Sequence, residues 1–181
     1  MSRIPYVPTD ISEPAEIVGP IRKRRGGGLL NLDRMLLRSP ALAAGWNTYL
    51  GAVRNSLSLD AKLREIGMCV VAVLNGAEYE FIQHAPVFIA AGGNQAQIEA
   101  MRDPQSALRD EQLFNDPERA AIALTYEMTR NVQVSDETFA QVRACLSEQQ
   151  TVELVAVIAA YNMVSRFLVA LGVEQIGRAH V

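Results

Sequence analysis

Three side chains in the middle of the sequence have the types and spacing of a proton-transfer site. Glu80 and His84 are four residues apart, so on a helix they share one face about one turn apart. A carboxylate that contacts an imidazole fixes its tautomer and raises its basicity, which a general acid–base histidine requires. The same spacing also occurs in pairs that only stabilise a helix, so both interpretations stay open on spacing alone.

Glu65 joins this pair through a predicted helix–turn–helix hairpin centred on Asn75-Gly76. Glu65 precedes the turn by about ten residues and His84 follows it by about eight. At a rise of roughly 1.5 Å per residue, both lie about 12–15 Å from the turn and can face each other. Two carboxylates and one imidazole between apolar helices would make a proton-transfer site. The alternative is a structural ion pair of Glu65 with Arg166 or with the neighbours of Arg64.

The elements that must position these residues are all predicted to be helices, because helix start and stop signals are frequent and strand alternation is nearly absent. The segment from Asp60 to Leu74 is apolar on nearly every face, which indicates a buried helix. The next helix runs from Glu78 to Ala91 and ends at Gly92-Gly93. Further helices are predicted from a Ser12 cap to Arg25 before the loop Gly26–Gly28, from Ser39-Pro40 to about Val53, from Gln95 to Arg102, from an Asp116 cap to about Arg130, from Asp136 to Leu146, and from a Ser147–Gln150 capping box to Leu171. The stretch from Asp103 to Phe114 is predicted to be an exposed connection.

The composition is that of one globular domain, predicted over residues 1–175. Residues 176–181 resemble translated sequencing adapter and are predicted to be a non-native tail that carries no function. The formal net charge of −3 gives no general attraction to nucleic acid or to anionic lipid. We expect a cytoplasmic protein without a membrane segment, because no signal peptide is visible and no apolar run approaches about 20 residues. Cys69 and Cys145 form no redox or metal-ligand spacing.

The hairpin sequence from Leu63 to His84 resembles the signature of the carboxymuconolactone decarboxylase family. Shorter similarities to the family lie at Arg3-Ile4-Pro5, Leu29–Leu32, Ser39-Pro40, Tyr161-Asn162 and Ser165–Phe167. The resemblance covers most of the chain and implies an antiparallel helical bundle of the alkylhydroperoxidase D-like type.

The peroxidase branch of this family carries a cysteine pair on the hairpin, and this chain lacks it. Residue by residue, the two cysteine positions fall on Ala77 and Glu80. Peroxide reduction through a disulfide needs one thiolate to attack and a second thiol to resolve, which neither residue supplies. Cys69 lies on an apolar helix, where its thiol is expected to ionise with difficulty. The motif from Tyr79 to His84 resembles the decarboxylase-like branch instead.

The resemblance implies an enzyme of the carboxy-lyase type that removes carbon dioxide from a small carboxylated lactone of aromatic catabolism. Our hypothesis for this reaction gives proton transfer to His84, its orientation to Glu80 and the local charge to Glu65. Substrate binding is assigned to Arg166, to Arg54 and to Tyr79, and no metal or cofactor is expected. The expected partners are a small-molecule substrate and further copies of the chain in a trimer or hexamer. The alternatives are a thiol peroxidase, which the missing cysteine pair disfavours, and a non-catalytic helical oligomer.

Overall fold

A computed structural model describes residues 2–174 of the chain. All elements formed by these residues are helices, which confirms the predicted all-helical fold class. Their bounds are α1 Ala15–Arg24, α2 Asn31–Leu36, α3 Pro40–Asn55, α4 Ala61–Leu74, α5 Glu78–Ala90, α6 Gln95–Ala100, α7 Pro104–Ala107, α8 Asp116–Arg130, α9 Asp136–Cys145 and α10 Glu148–Leu171.

The chain divides into two compact units. The first unit comprises Met1–Ser56 with Phe167–Val181, and the second comprises Leu57–Arg166. The prediction of a single domain over residues 1–175 stays a prediction, and the predicted tail at residues 176–181 lies outside the described residues.

In the first unit, α1 and α2 pack against α3. The end of α10 contributes Phe167, whose ring centroid lies 5.1 Å from that of Trp46 on α3. The backbone N–H of Arg3 donates to the carbonyl of Leu171 over 2.9 Å, so the N-terminal segment is hydrogen-bonded to the end of this helix.

The second unit is built around α4, which packs against both α5 and α8. Ten of its fourteen residues are buried, as expected for a helix that is apolar on nearly every face. A Cβ atom at Gly67 would stand 3.5 Å from Ile158 on α10, so α10 approaches α4 closely at this point. Asp60 begins α4 by accepting hydrogen bonds from the backbone N–H groups of Lys62 and Leu63. The hairpin helices predicted from the sequence are therefore confirmed.

Two other helices have caps that differ from the predicted ones. The first begins at Ala15 after Pro14, and Ser12 is not its cap. The cap of α8 is Asn115, whose side chain accepts from the N–H of Glu118, so the start lies one residue before the predicted Asp116 cap. Asn and Asp are nearly equivalent at a helix cap, and their order in the sequence does not decide between them.

The predicted exposed connection from Asp103 to Phe114 is also wrong. It contains the short helix α7, capped by Asp103, and it buries Pro104, Ala107 and Phe114. By contrast, the capping box at the start of α10 is confirmed. The N–H of Gln150 donates to Ser147 Oγ, and the N–H of Ser147 donates to the Gln150 side chain, both over 3.2 Å.

One helix of the described residues, α10, is long and apolar enough to cross a membrane by length and composition alone. The expectation that no segment approaches this length is therefore wrong. The mean hydropathy of its most apolar window is 1.9, and half of that window is buried inside the protein. A core helix meets the same two criteria, so they do not by themselves identify a membrane span.

Candidate active site

The turn between α4 and α5 sets the geometry of the candidate site. Gly76 has a φ of +64°, in the left-handed region that favours glycine. The backbone N–H of Gly76 donates to the carbonyl of Val73, and that of Ala77 donates to the carbonyl of Ala72. These bonds end α4 and let α5 begin at Glu78, folded back along the same helix.

The hairpin brings Glu65, Glu80 and His84 into direct contact. Nδ1 of His84 lies 2.7 Å from Oε2 of Glu65, and Nε2 of His84 lies 3.3 Å from Oε2 of Glu80. Each carboxylate side chain is 3% exposed and the imidazole is 12% exposed. The structure therefore places the three predicted catalytic residues in one buried cluster, called here the triad. Their catalytic roles stay predictions.

The two carboxylates favour the protonated form of His84. Burial disfavours the imidazolium, but the hydrogen bonds to Glu65 and Glu80 and the negative charges of both groups outweigh this effect. The pKa of His84 is therefore raised above its ordinary value. With both ring nitrogens protonated, each can donate to one carboxylate, so the arrangement can hold a proton inside the protein.

Arg64 extends this cluster of charges. Its Nε donates to Oε1 of Glu65 over 3.3 Å, and its side chain is 16% exposed. Positive and negative groups therefore alternate in the order Arg64, Glu65, His84, Glu80. The suggested ion pair between Glu65 and Arg166 does not form, because Glu65 is occupied by Arg64 and His84 and because Arg166 is exposed.

Tyr161 is a contact of the triad that the sequence analysis did not identify as a site residue. It lies on α10, fully buried, with its ring edge-on to the imidazole and 4.9 Å between the ring centroids. A hydrogen bond at the turn between α4 and α5 helps to set the position of α10 along the hairpin. There, the side-chain amide of Asn75 donates to Oδ1 of Asn162 over 3.0 Å. The family-like pair Tyr161-Asn162 was the available signal, but it did not indicate which residue would face His84.

The thiol nearest the triad is poorly suited to react. Cys69 lies one turn after Glu65 on α4 and is completely buried. Burial raises the pKa of its thiol, and the negative charges of Glu65 and Glu80 raise it further. Ala77, at the first cysteine position of the peroxidase branch, is also buried. The expectation that Cys69 is hard to ionise therefore agrees with its surroundings.

The residues predicted to bind substrate lie in different places. Tyr79 is half-buried in the first turn of α5, and Arg166 is exposed on α10. Arg54 lies in the last turn of α3, in the first unit. Their assignment to substrate binding stays a prediction.

Two cavities of the second unit are lined by residues outside the triad. One of about 520 Å³ is bordered by Arg109, Arg119 and Cys145. The other, of about 460 Å³, is bordered by Lys62, Glu118 and the same cysteine. Within residues 2–174, no group of three or more His, Cys, Asp or Glu side chains has the arrangement of a metal site.

Comparisons with known proteins agree on the family and the fold. The profile of the carboxymuconolactone decarboxylase family matches residues 40–127. No curated protein sequence matches the chain. Among solved structures, an uncharacterised peroxidase-related protein from Silicibacter sp. TM1040 is similar, with a TM-score of 0.81, 14% identity, and coverage of 99% of this chain and 94% of that chain.

Two further solved structures are similar over nearly the whole chain. One is an alkylhydroperoxidase AhpD core, an uncharacterised peroxidase-related protein from Ralstonia eutropha JMP134, with a TM-score of 0.80, 17% identity, and coverage of 96% of this chain and 92% of that chain. The other is a cysteine-to-alanine variant of the debrominase Bmp8 in complex with 2,3,4-tribromopyrrole, with a TM-score of 0.79, 18% identity, and coverage of 97% and 94%. At these identities the likeness establishes the alkylhydroperoxidase D-like fold.

Proposed function

Because the chain belongs to the carboxymuconolactone decarboxylase family, whose profile matches residues 40–127, we propose that it is an acid–base enzyme of the decarboxylase type. Its substrate would be a small carboxylated lactone or a related unsaturated acid. The observation that carries this proposal is the buried imidazole of His84, held between the carboxylates of Glu65 and Glu80.

The reaction we propose needs one proton at the right place. The bond between a ring carbon and its carboxylate breaks, carbon dioxide leaves, and the electron pair moves into the conjugated lactone carbonyl to give a dienolate. The imidazolium of His84 then protonates a carbon atom of this dienolate, and solvent returns a proton to the imidazole. The raised pKa of His84 supports this role, because it keeps the acid form populated at neutral pH.

The two carboxylates have separate roles in this proposal. Glu65 makes the shorter contact, at Nδ1, so it is expected to contribute most to holding the imidazolium. Glu80 makes the longer contact, at Nε2. Releasing the proton of Nε2 to substrate therefore costs less attraction to a carboxylate than releasing the proton of Nδ1 would. Thiol chemistry is less well supported, because Cys69 is buried beside two negative charges and Ala77 and Glu80 occupy the cysteine positions.

The predicted trimer or hexamer is part of this proposal. Helix α5, which carries Glu80 and His84, also exposes apolar side chains at Ile82, Val87 and Ile89, each 40% or more exposed. A second copy of the chain would bury such a surface. The cytoplasmic location remains a prediction from the sequence.

The proposal is tested by measuring carbon dioxide release from 4-carboxymuconolactone. Replacing His84 by Ala removes the proton donor, and a positioned acid–base group is typically worth about 10²–10⁴ in rate. We expect turnover to fall by that factor while the helical circular dichroism stays intact. The matched control is His180→Ala, which removes the chain's other histidine and is expected to keep the wild-type rate.

Two results would reject the proposal. Unchanged turnover in His84→Ala would exclude His84 as the proton donor. Absence of carbon dioxide release by the wild-type protein across a panel of carboxylated unsaturated lactones would exclude the decarboxylase reaction itself.

A further inference from the structure

The last turn of α1 belongs to a second cluster of charges, which lies in the first unit of the chain. Arg24, in this turn, reaches α3, where its Nη2 donates to Oδ1 of Asn47 over 2.6 Å. The same nitrogen lies farther, 3.5 Å, from Oδ1 of Asp33 on α2. Among the described residues, the closest hydrogen-bond partner of Arg24 is therefore a neutral amide, which does not compensate its charge.

The carboxylate of Asp33 is already occupied by other donors. Nε of Arg25 lies 3.2 Å from its Oδ2, and the backbone N–H of Leu30 donates to the same oxygen over 2.9 Å. A third arginine, Arg54 in the last turn of α3, is close enough for its charge to act on Arg24. Three guanidinium groups and one carboxylate therefore form a cluster with a net charge of +2.

The positive charges of this cluster repel one another at Arg24. Burial and the charges of Arg25 and Arg54 lower the pKa of Arg24 below its ordinary value. The negative charge of Asp33 acts in the opposite direction but does not outweigh them. The described residues of the first unit include eight Lys or Arg and five Asp or Glu, so this unit attracts anions although the whole chain has a net charge of −3.

A cavity of about 240 Å³ lies between α1 and α3, and Arg24 is one of its lining residues. The others are Pro20, Asn47 and Thr48. Pockets that enclose a whole ligand have roughly 300–1,000 Å³, so this smaller cavity suits one small group of a larger molecule. Neither Nε nor Nη1 of Arg24 forms a hydrogen bond within residues 2–174, and the same holds for Nδ2 of Asn47. The cavity is therefore lined by side chains that have N–H donors available for a ligand.

We propose that this cavity binds the doubly charged phosphate group of a phosphate monoester. Such a group carries a charge of about −1.5 to −2 at pH 7 and three strong acceptor oxygens. It would neutralise the net charge of +2 and accept from Arg24 and Asn47, whereas a carboxylate would neutralise only half of this charge. The inference does not depend on the proposed function, because the cavity belongs to the first unit and the triad to the second.

The competing explanation is that the basic residues only stabilise the end of α1, whose carbonyl groups attract positive charge. Arg24→Gln and Lys23→Gln each remove one positive charge from the last turn of this helix. Lys23 is exposed and does not line the cavity, so it provides the matched control. Under the proposal, Arg24→Gln weakens phosphate binding by at least about 10-fold, as expected for losing a hydrogen bond to a charged group, and Lys23→Gln leaves it nearly unchanged. A role in helix stability alone predicts no saturable binding.

The deciding experiment is an NMR titration with methyl phosphate, followed through the backbone amide signal of Thr48. Acetate at the same ionic strength is the comparison ligand. We expect methyl phosphate to shift this signal saturably and to bind at least about 10-fold more tightly than acetate. A second variant, Asn47→Asp, places a carboxylate of the protein beside Arg24 and should abolish the binding.

The proposal is overturned if methyl phosphate gives no saturable shift, if it binds no better than acetate, or if Arg24→Gln keeps the wild-type affinity. An equal loss of affinity in Lys23→Gln would show diffuse attraction by the charges and would also overturn it. If Arg24→Gln does not fold, Asn47→Asp decides, because it must lose the binding while its helical circular dichroism stays intact.

Vesicles distinguish two sources of the phosphate group. Binding to phosphatidylcholine vesicles that contain phosphatidic acid, competed by methyl phosphate and absent with phosphatidylcholine alone, would identify a lipid headgroup as the source. Binding of methyl phosphate without binding to these vesicles would identify a soluble phosphate monoester. Both results support the phosphate site.

Discussion

Glu65→Gln removes one negative charge from the triad and keeps the size and shape of the side chain. Glu65 is the closer of the two carboxylates, with 2.7 Å between its Oε2 and Nδ1 of His84. The replacement amide can still accept one hydrogen bond from the imidazolium, but it no longer attracts its charge. We therefore expect the pKa of His84 to fall and the free energy of unfolding to decrease.

The size of this decrease follows from two opposing contributions. The negative charge is spread over the carboxylate and the positive charge over the ring, so the centres of the two charges lie about 4 Å apart. At this distance, an effective dielectric constant of about 20 gives an attraction of about 4 kcal/mol. Removing a buried charge also recovers part of its desolvation cost. Hydrogen bonds to charged groups are worth about 1.5–3 kcal/mol net, so we expect a loss of about 2 kcal/mol.

The loss should depend on pH with a definite sign. Because the pKa of His84 is raised in the folded protein, its contribution to stability is fully present below the ordinary value of 6.5 and disappears as the pH rises through the folded value. The wild-type protein should therefore lose stability as the pH rises above neutral. The difference from Glu65→Gln should be largest near pH 6 and should narrow at higher pH.

Urea unfolding followed by circular dichroism, repeated from pH 5 to pH 9, measures the loss in the free energy of unfolding and its dependence on pH. The matched control is Glu99→Gln, the same chemical change at a side chain that is 63% exposed. Its effect should stay within about 0.5 kcal/mol at every pH. If Glu65→Gln behaves like this control, or if its difference from wild type grows as the pH rises, the charge of Glu65 does not stabilise the protonated imidazole.

Two further predictions address the thiol and the end of the hairpin. Cys69→Ala should keep turnover within a few-fold of wild type. Iodoacetamide should label Cys145 but not Cys69 in the folded protein, as measured by mass spectrometry, because the pKa of the buried Cys69 thiol is raised. Rapid labelling of Cys69 would contradict this prediction. Gly93→Ala should lower the free energy of unfolding by about 1–3 kcal/mol, because a Cβ atom there would overlap the buried ring of Phe88. Wild-type stability in a urea titration would show that the ring can move aside.

The hairpin and its triad could be predicted because local rules determine them. A helix that is apolar on nearly every face must be buried, and Asn75-Gly76 must end it. The spacing of Glu80 and His84 fixes a shared helix face. Glu65 and His84 lie at similar distances from the turn, so folding back brings them together whatever the rest of the chain does.

The remaining contacts of the site depend on packing that spacing does not reveal. Adjacent residues on a helix point in different directions, so the contact between Arg64 and Glu65 arises from the bending of a long side chain. Tyr161 reaches His84 only because α10 takes one particular register against the hairpin, which involves the contact between Asn75 and Asn162. Charge alone allows a pairing of Glu65 with Arg166, and the exposed position of Arg166 rules it out.

Glu65 and Glu80 are expected to hold a proton on the imidazole of His84, ready for transfer to a substrate. An NMR titration of the His84 ring in the wild-type protein, assigned by comparison with His84→Ala, measures whether they do. We expect the ring to stay protonated at pH values above 6.5, the ordinary pKa of histidine. A ring that releases its proton at or below that pH would show that the two carboxylates do not hold it.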